Sequence, residues 1–94
     1  MSDETLLIET GRGDRKSFQV LLERYGDFVY SLAYRSLGKR EDAEDLAQVV
    51  WIRILQSAGS FEDRGAGSAR AWIARLLLNK ARNMKRQSVR SILR

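Results

Sequence analysis

Cysteine, histidine and proline are all absent from this chain of 94 residues. Without cysteine the fold has neither a disulfide nor a thiolate metal site. Without histidine it lacks the commonest metal ligand and proton-transfer group. The absence of proline leaves helix interiors uninterrupted, so glycine has to mark their ends. These absences exclude most catalytic chemistry, and we expect no catalytic residue, metal or cofactor.

The length and hydropathy also limit the protein class. Ninety-four residues are enough for one domain, spanning 1–94, with one modest core. No apolar run approaches the roughly 20 residues that span a bilayer. The start of the chain, from Met1 to Glu4, is acidic where a secretory signal needs positive charge. We therefore expect a cytoplasmic protein without membrane insertion.

Charge is distributed unevenly along the chain. Residues 1–50 carry 7 Lys or Arg and 10 Asp or Glu, whereas residues 51–94 carry 10 and 2. No acidic residue follows Asp63. The C-terminal half is therefore a candidate for binding a polyanion. The alternative is a basic helix face that is merely solvated.

Capping residues and apolar spacing predict four helices. The first is a short helix capped by Ser2 and ended by Gly11 or Gly13, and the second is a long helix from Asp14 to Gly38. The third runs from Glu41 to about Ala58 and is followed by a flexible loop from Gly59 to Ser68. The last helix runs from Ala69 to about Arg90, with Ser68 as its cap. No useful length alternates at period two, so no sheet is expected. The predicted fold is all-α, a compact bundle of three principal helices with a short leading N-terminal helix.

The third predicted helix has two apolar faces. Its core face holds Ala43, Leu46, Ala47, Val50 and Ile54. Its opposite face combines polar and apolar side chains, namely Glu41, Asp45, Gln48, Val49, Ile52 and Leu55. A helix that is apolar on both sides must bury both. Either the N-terminal helix or a partner protein covers the second face.

The last predicted helix has an inward face and a polar stripe. The inward face holds Ile73, Leu77, Ala81 and Met84. The stripe consists of Trp72, Arg75, Asn79, Arg82, Asn83, Arg86 and Arg90. Amides can hydrogen-bond base edges, guanidinium groups bind phosphates, and an exposed indole can stack on an unpaired base. The stripe therefore favours nucleic acid as a ligand, although a large aromatic at a helix start is more often part of a core.

Three motifs in order resemble region 2 of sigma-70 family factors, specifically the extracytoplasmic-function group. The stretch from Asp42 to Trp51 is similar to that group's Asp-Ala-Glu-Asp-Leu motif, which continues with any residue, Gln, Glu, an aliphatic residue and Phe. The second motif is Phe61, then Ala71-Trp72-Ile73 with Arg75, Asn79, Asn83 and Arg86. The third motif, which comes first in the chain, is the pattern of Phe18, Leu22, Tyr25, Val29 and Tyr30. The resemblance covers roughly residues 4 to 90.

The resemblance implies two binding surfaces on a transcription initiation factor. The third helix would bind core RNA polymerase, at the clamp helices of its beta-prime subunit, through Glu41, Asp45, Gln48, Val49, Ile52 and Leu55. The last helix and preceding loop would recognise the minus-ten promoter element and hold the nontemplate strand unpaired, with one base flipped into a pocket beside the loop. The DNA-binding set would be Phe61, Arg64, Trp72, Arg75, Asn79, Lys80, Arg82, Asn83 and Arg86. An anti-sigma factor is a further expected partner.

The chain departs from the family pattern in three ways. Val49 replaces the usual Glu, so a polymerase contact made by that carboxylate would be lost or replaced by an apolar one. Asn83 replaces the usual Asp, which removes a negative charge beside DNA. Full-length members carry a second, helix-turn-helix domain, called region 4, which is absent here, so we expect an excised or truncated domain that binds promoters weakly alone.

Two other classes of function remain as alternatives. The first is a helical protein-interaction module whose basic face is only solvated. The second is an enzyme with Mg²⁺ at the acidic cluster from Glu41 to Asp45, although such sites need carboxylates that converge with a substrate phosphate. Selective binding of single-stranded nontemplate DNA would distinguish the sigma-factor domain from the protein-interaction module.

Overall fold

The computed structural model describes the backbone of residues 1–93 and the side chains of residues 1–87. Its elements in chain order are α1 (Asp3–Gly11), α2 (Arg15–Leu37), α3 (Arg40–Ser57), a 3₁₀ turn (Ala58–Ser60) and α4 (Ser68–Leu93). Residues 1–93 contain no strand. The predicted all-α fold, with three principal helices and a short leading one, is confirmed. The 3₁₀ turn was not predicted.

Local capping groups fix three of the helix ends. The Ser2 hydroxyl accepts a hydrogen bond from the Thr5 N–H at 3.1 Å. Asp14 Oδ1 accepts one from the Lys16 N–H at 3.2 Å. Gly38 ends α2 in the left-handed conformation, with φ of 75°, which glycine adopts without steric cost. These ends lie where the sequence predicts them, because each depends only on neighbouring residues.

The core lies where α2, α3 and α4 meet under α1. Its largest fully buried side chains are Leu7, Leu21, Val29, Leu46, Val50, Ile54, Ile73 and Leu77. The predicted inward faces of α3 and α4 are both confirmed, with Ala47 and Met84 at their partly buried margins. Leu22, a member of the motif on α2, is 36% exposed.

The end of α1 packs directly against the 3₁₀ turn. A Cβ added to Gly11 would lie 2.8 Å from both the carbonyl carbon and the carbonyl oxygen of Ala58. Real Cβ atoms do not approach backbone atoms this closely, so any side chain at Gly11 would displace α1 or the turn. Gly11 therefore allows the N-terminal helix to approach the segment that leads into the loop before α4.

Gly11→Ala should destabilise the domain by about 1–3 kcal/mol, because backbone atoms have to move to accept the methyl group. Gly26→Ala is the matched control, since its added Cβ would meet no atom within 4 Å. That control lies inside α2 and should raise stability by about 0.4–1 kcal/mol. Urea unfolding of both variants measures the difference. Equal stability of the two would mean that α1 does not pack against the turn.

A polar cluster attaches the start of α1 to α2. Arg24 Nη1 lies 2.9 Å from Asp3 Oδ1, and the Tyr25 hydroxyl donates a hydrogen bond to Asp3 Oδ2. This hydrogen bond and the neighbouring Arg24 lower the pKa of Asp3. Burial, followed by the bond to Asp3, raises the pKa of Tyr25 from 10.0 to about 12. Tyr25 is thus held protonated in the folded state.

The raised pKa predicts a specific loss of stability in alkali. Above pH 10 the unfolded chain releases the Tyr25 proton, but the folded chain keeps it until about pH 12. The contribution of Tyr25 should therefore fall by up to about 1.4 kcal/mol per pH unit across this interval. Tyr25→Phe has no such proton, so the stability difference between wild type and variant should shrink as pH rises. A difference that stays constant from pH 9 to 12 would contradict the assigned contact.

Candidate nucleic-acid interface and docking surface

An open cavity lies where the loop meets the start of α4. Its volume is about 280 Å³, and its lining residues are Ser60, Phe61, Glu62, Arg64, Ser68, Ala71, Trp72 and Arg75. This volume is close to the lower end of the range for small-ligand sites, about 300 Å³. Aromatic, hydroxyl and guanidinium groups, together with the Glu62 carboxylate, therefore line one space of small-ligand size.

Phe61 and Trp72 form the apolar wall of this cavity. Their ring centroids are 5.9 Å apart and their planes meet at 73°, an edge-to-face arrangement. Phe61 is only 9% exposed, so its ring is chiefly a core contact that fixes the loop. Trp72 is half-buried and presents the rest of its surface to the cavity. Trp72 therefore packs partly in the core and partly forms the cavity wall.

The first turn of α4 is held by α1, not by Ser68. Glu4 Oε2 accepts a hydrogen bond from the Ala69 N–H at 3.0 Å, and Glu4 is 7% exposed. The predicted capping role of Ser68 is wrong, because α4 already begins at Ser68. The Ser68 hydroxyl instead accepts from the Arg64 N–H at 3.1 Å. Glu4 is well suited to its position, since the positive end of a helix dipole favours a carboxylate.

Hydrogen bonds within the loop shape the other side of the cavity. Asp63 Oδ1 accepts from the Gly65 N–H at 2.8 Å, and Gly65 itself has φ of 105°. Arg64 makes an ion pair with Glu62 at 3.3 Å, but both side chains are largely exposed, so the pair contributes little to stability. The segment thus has a defined turn, while its predicted mobility stays a prediction.

The polar stripe on α4 extends beyond the cavity. Arg75, Asn79, Arg82, Asn83 and Arg86 are exposed, and Lys80 is partly buried. The side chain of Arg90, predicted as the last member, lies outside the described residues. A second opening of about 220 Å³, the α3–α4 groove, is lined by Arg53, Ser57, Leu76, Asn79, Lys80 and Asn83. The predicted DNA-binding residues are therefore divided between the cavity and this groove, with Arg82 and Arg86 on the open helix surface.

The outer face of α3 is largely left uncovered by the part of the chain that the structure describes. Ile52 is 55% exposed and Leu55 is 50% exposed, whereas Val49 is half-buried. The polar members Glu41, Asp45 and Gln48 are exposed beside them. We call these six residues the outer α3 surface. Because α1 leaves Ile52 and Leu55 exposed, an intramolecular contact does not explain the second apolar face.

An apolar groove of about 750 Å³ adjoins the outer α3 surface. Leu55 lines it together with Thr10, Gly13, Asp14, Arg15, Phe18, Gln19 and Leu22. Phe18 also packs edge-on against Trp51, with ring centroids 5.9 Å apart. The exposed apolar area therefore continues from α3 onto α2.

Two residues around the start of α4 were not selected from the sequence. In the sequence Glu4 is part of an acidic N-terminus, but it also shares a helix face with Leu7 and Gly11, which indicates an inward position. Arg70 lies over the Phe28 ring, with its guanidinium carbon 4.3 Å from the ring centroid. This cation–π contact adds a second link between the start of α4 and the bundle.

The part of the chain that the structure describes contains neither a metal-binding cluster of acidic residues nor a membrane-spanning helix. No group of three or more acidic side chains comes together there in a way that could hold a metal ion. No helix there combines the length and apolar character needed to cross a membrane.

Comparison with known proteins identifies the family. The Sigma-70 region 2 family matches residues 21–91. The RNA polymerase sigma-H factor of Pseudomonas aeruginosa is 30% identical over 81 residues, 86% of this chain and 41% of that protein. The ECF RNA polymerase sigma factors SigE of Mycolicibacterium smegmatis and SigW of Bacillus subtilis are each 35% identical. These two alignments cover 76% and 72% of this chain, and 26% and 35% of those proteins.

The chain spans less than half the length of these relatives. No solved structure matches it. The family match covers most of the chain, including the whole of α3 and the loop with the cavity. The chain therefore belongs to the Sigma-70 region 2 family, and its relatives include RNA polymerase sigma factors of the extracytoplasmic-function group.

Proposed function

We propose that this domain captures the nontemplate strand of the promoter minus-ten element while its outer α3 surface binds core RNA polymerase. The main observation in support is the cavity of about 280 Å³ beside Trp72, whose lining includes Arg75 of the polar stripe of α4. An unpaired base can enter such a cavity and stack on an aromatic wall, whereas a paired base cannot. Ser68 and Arg75 at its rim can donate hydrogen bonds to the base or its phosphate.

Promoter melting then follows from differential binding. A surface that binds only the unpaired strand shifts the duplex equilibrium toward the open state without any covalent step. Stacking supplies about 1–3 kcal/mol per base, and phosphate contacts add a term that depends on salt. The exposed guanidinium groups of Arg82 and Arg86 are available for those phosphate contacts.

The proposed polymerase contact uses a different face of the same helical bundle. The outer α3 surface combines exposed Ile52 and Leu55 with the carboxylates of Glu41 and Asp45. An apolar centre with a polar rim is the usual anatomy of a protein interface. The clamp helices of the beta-prime subunit are the proposed partner. Because α3 contacts both α2 and α4, one rigid helix would connect the polymerase to the DNA face.

Single-strand selection is the experiment that tests this function. A randomised pool of short single strands is bound to the full chain, and the retained strands are sequenced. One enriched motif is expected, because a base in the cavity and amides on α4 both distinguish bases. A pool that is not retained, or that is released at moderate salt without enrichment, would instead support the alternative of a protein-interaction module with a solvated basic face.

Asn79→Ala and Asn83→Ala should reduce discrimination between the enriched strand and a scrambled one. The expected loss is about 1–3 kcal/mol per base-edge contact, with no change in the dependence of affinity on salt, since neither residue is charged. Arg82→Ala is the contrasting variant. It should weaken all strands alike and lower the salt slope by about 0.7. Unchanged discrimination in both asparagine variants would assign specificity to the cavity around Phe61 and Trp72.

A further inference from the structure

We propose that Glu4 is a positioning residue for base capture, because its buried carboxylate holds the turn of α4 that places Trp72 in the cavity wall. This inference rests on the proposed function, which uses residues that face the strand. It gives α1, an element without a predicted binding residue, a part in strand capture. Glu4 itself would not touch DNA, since it is 7% exposed and lies behind the residues that line the cavity.

The bond between Glu4 and α4 is shielded from water. Glu4 Oε2 accepts a hydrogen bond from the Ala69 N–H at 3.0 Å, and Ala69 is fully buried. A carboxylate binds an N–H at the positive end of a helix more strongly than a neutral oxygen does. The nearby Ser68 hydroxyl accepts from the Arg64 N–H instead. The position of this first turn therefore depends on Glu4.

The turn that Glu4 holds carries one aromatic of the cavity wall. Trp72 follows Ala69 by less than one turn of helix, and Ala71 and Trp72 both line the cavity. A shift of the backbone at Ala69 would move the indole with it, because both belong to the same turn. About 1 Å of displacement is enough to loosen a preorganised site. Trp72 therefore keeps its place for stacking only while Ala69 stays in position.

The other end of α1 supports Phe61, the second aromatic of the wall. Gly11 packs against the Ala58 backbone, and the Ala58 carbonyl accepts a hydrogen bond from the Phe61 N–H at 3.1 Å. One helix thus braces Phe61 through Ala58 and Trp72 through Ala69. This arrangement fixes the two rings relative to each other, with their centroids 5.9 Å apart.

α1 is itself fixed to the bundle. Asp3, next to Glu4, lies 2.9 Å from Arg24 and accepts a hydrogen bond from the Tyr25 hydroxyl, so two side chains of α2 hold it. Leu7, one turn later, is fully buried. The Glu4 carboxylate therefore has a rigid support, which a positioning residue requires.

Abasic substitution measures the contact between the captured base and the full chain. One nucleotide at a time in the enriched strand is replaced by an abasic analogue, and the position with the largest loss marks the captured base. Wild type should bind the intact strand about tenfold more tightly than the strand that is abasic at this position. Partial unfolding lowers both affinities by the same factor, so their ratio reports folded molecules only.

Glu4→Ala should lower this ratio to about twofold or less, and Glu4→Gln, which keeps an acceptor oxygen, should restore most of it. Ala43→Gly is the control for lost stability alone. Ala43 is fully buried, but it lies about 20 Å along the helix axis from the end of α3. Glycine there destabilises the domain and should leave the ratio at its wild-type value. An unchanged ratio in Glu4→Ala overturns the proposal, as does an equal fall in Ala43→Gly.

Trp72 provides a second readout in the free domain. Trp51 and Trp72 are the two tryptophans of the chain, so a Trp51→Phe background isolates the fluorescence of Trp72. Acrylamide should quench Trp72 more strongly in Glu4→Ala, but not in Glu4→Gln or Ala43→Gly, and equal quenching in all of them overturns the positioning by Glu4. An abasic scan without effect on wild type would instead overturn the proposed function, whatever the quenching shows.

Discussion

Glu4→Ala should lower the free energy of unfolding by about 2 kcal/mol, which is a large effect for a domain of this size. The Ala69 N–H donates a hydrogen bond to Glu4 Oε2 at 3.0 Å, and Ala69 is fully buried. Without the carboxylate this donor has neither a protein partner nor water. Hydrogen exchange at the Ala69 amide should become faster, and chemical denaturation should measure the loss of stability.

Glu4→Gln and Glu9→Ala are the controls for this effect. Glutamine retains an oxygen acceptor, so it should cost less than alanine. Glu9 also lies on α1, but it pairs with the exposed Arg12, and its loss should cost no more than about 0.5 kcal/mol. If Glu4→Ala is no less stable than Glu9→Ala and Ala69 exchanges at the wild-type rate, the carboxylate does not hold α4.

Ile52→Asp should weaken association with a beta-prime clamp-helix fragment by about a hundredfold or more. A carboxylate in the centre of an apolar interface loses its hydration and gains no partner. Because Ile52 is 55% exposed in the free domain, the same change should alter the melting temperature little. Isothermal titration with the fragment, together with a thermal melt, separates the two effects.

Ser31→Asp is the matched control for Ile52→Asp, since it adds the same charge to an exposed position of α2. It should bind the clamp fragment like wild type. The docking assignment fails if Ile52→Asp unfolds the domain, because Ile52 would then belong to the core. It fails equally if Ile52→Asp and Ser31→Asp bind the fragment with the same affinity.

The helix boundaries could be predicted because their causes are local. Ser2, Asp14 and Gly38 each act on residues within one helical turn, so the sequence pattern contains the whole interaction. The inward faces of α3 and α4 were predictable for the same reason, since a helix repeats every 3.6 residues whatever surrounds it.

The start of α4 could not be predicted from local pattern. Ser68 is an ordinary capping residue by type, but Glu4 caps this turn from 65 residues away along the chain. Such a contact depends on how α1 packs, and that packing depends on Gly11 approaching the Ala58 backbone. The sequence pattern does not indicate the α3–α4 groove for the same reason, because Arg53 of α3 and Lys80 of α4 line one opening only in the folded bundle.

The most direct measurement compares the affinity of the full chain for its enriched strand in two states, alone and annealed to the complement. Capture of an unpaired base beside Trp72 requires the duplex to open, so the free energy of opening makes binding to the duplex weaker than binding to the single strand. The single strand should bind more tightly than the duplex, and Trp72→Ala should reduce that preference. A duplex that binds as tightly as the single strand, with or without Trp72, would contradict strand capture as the function of this domain.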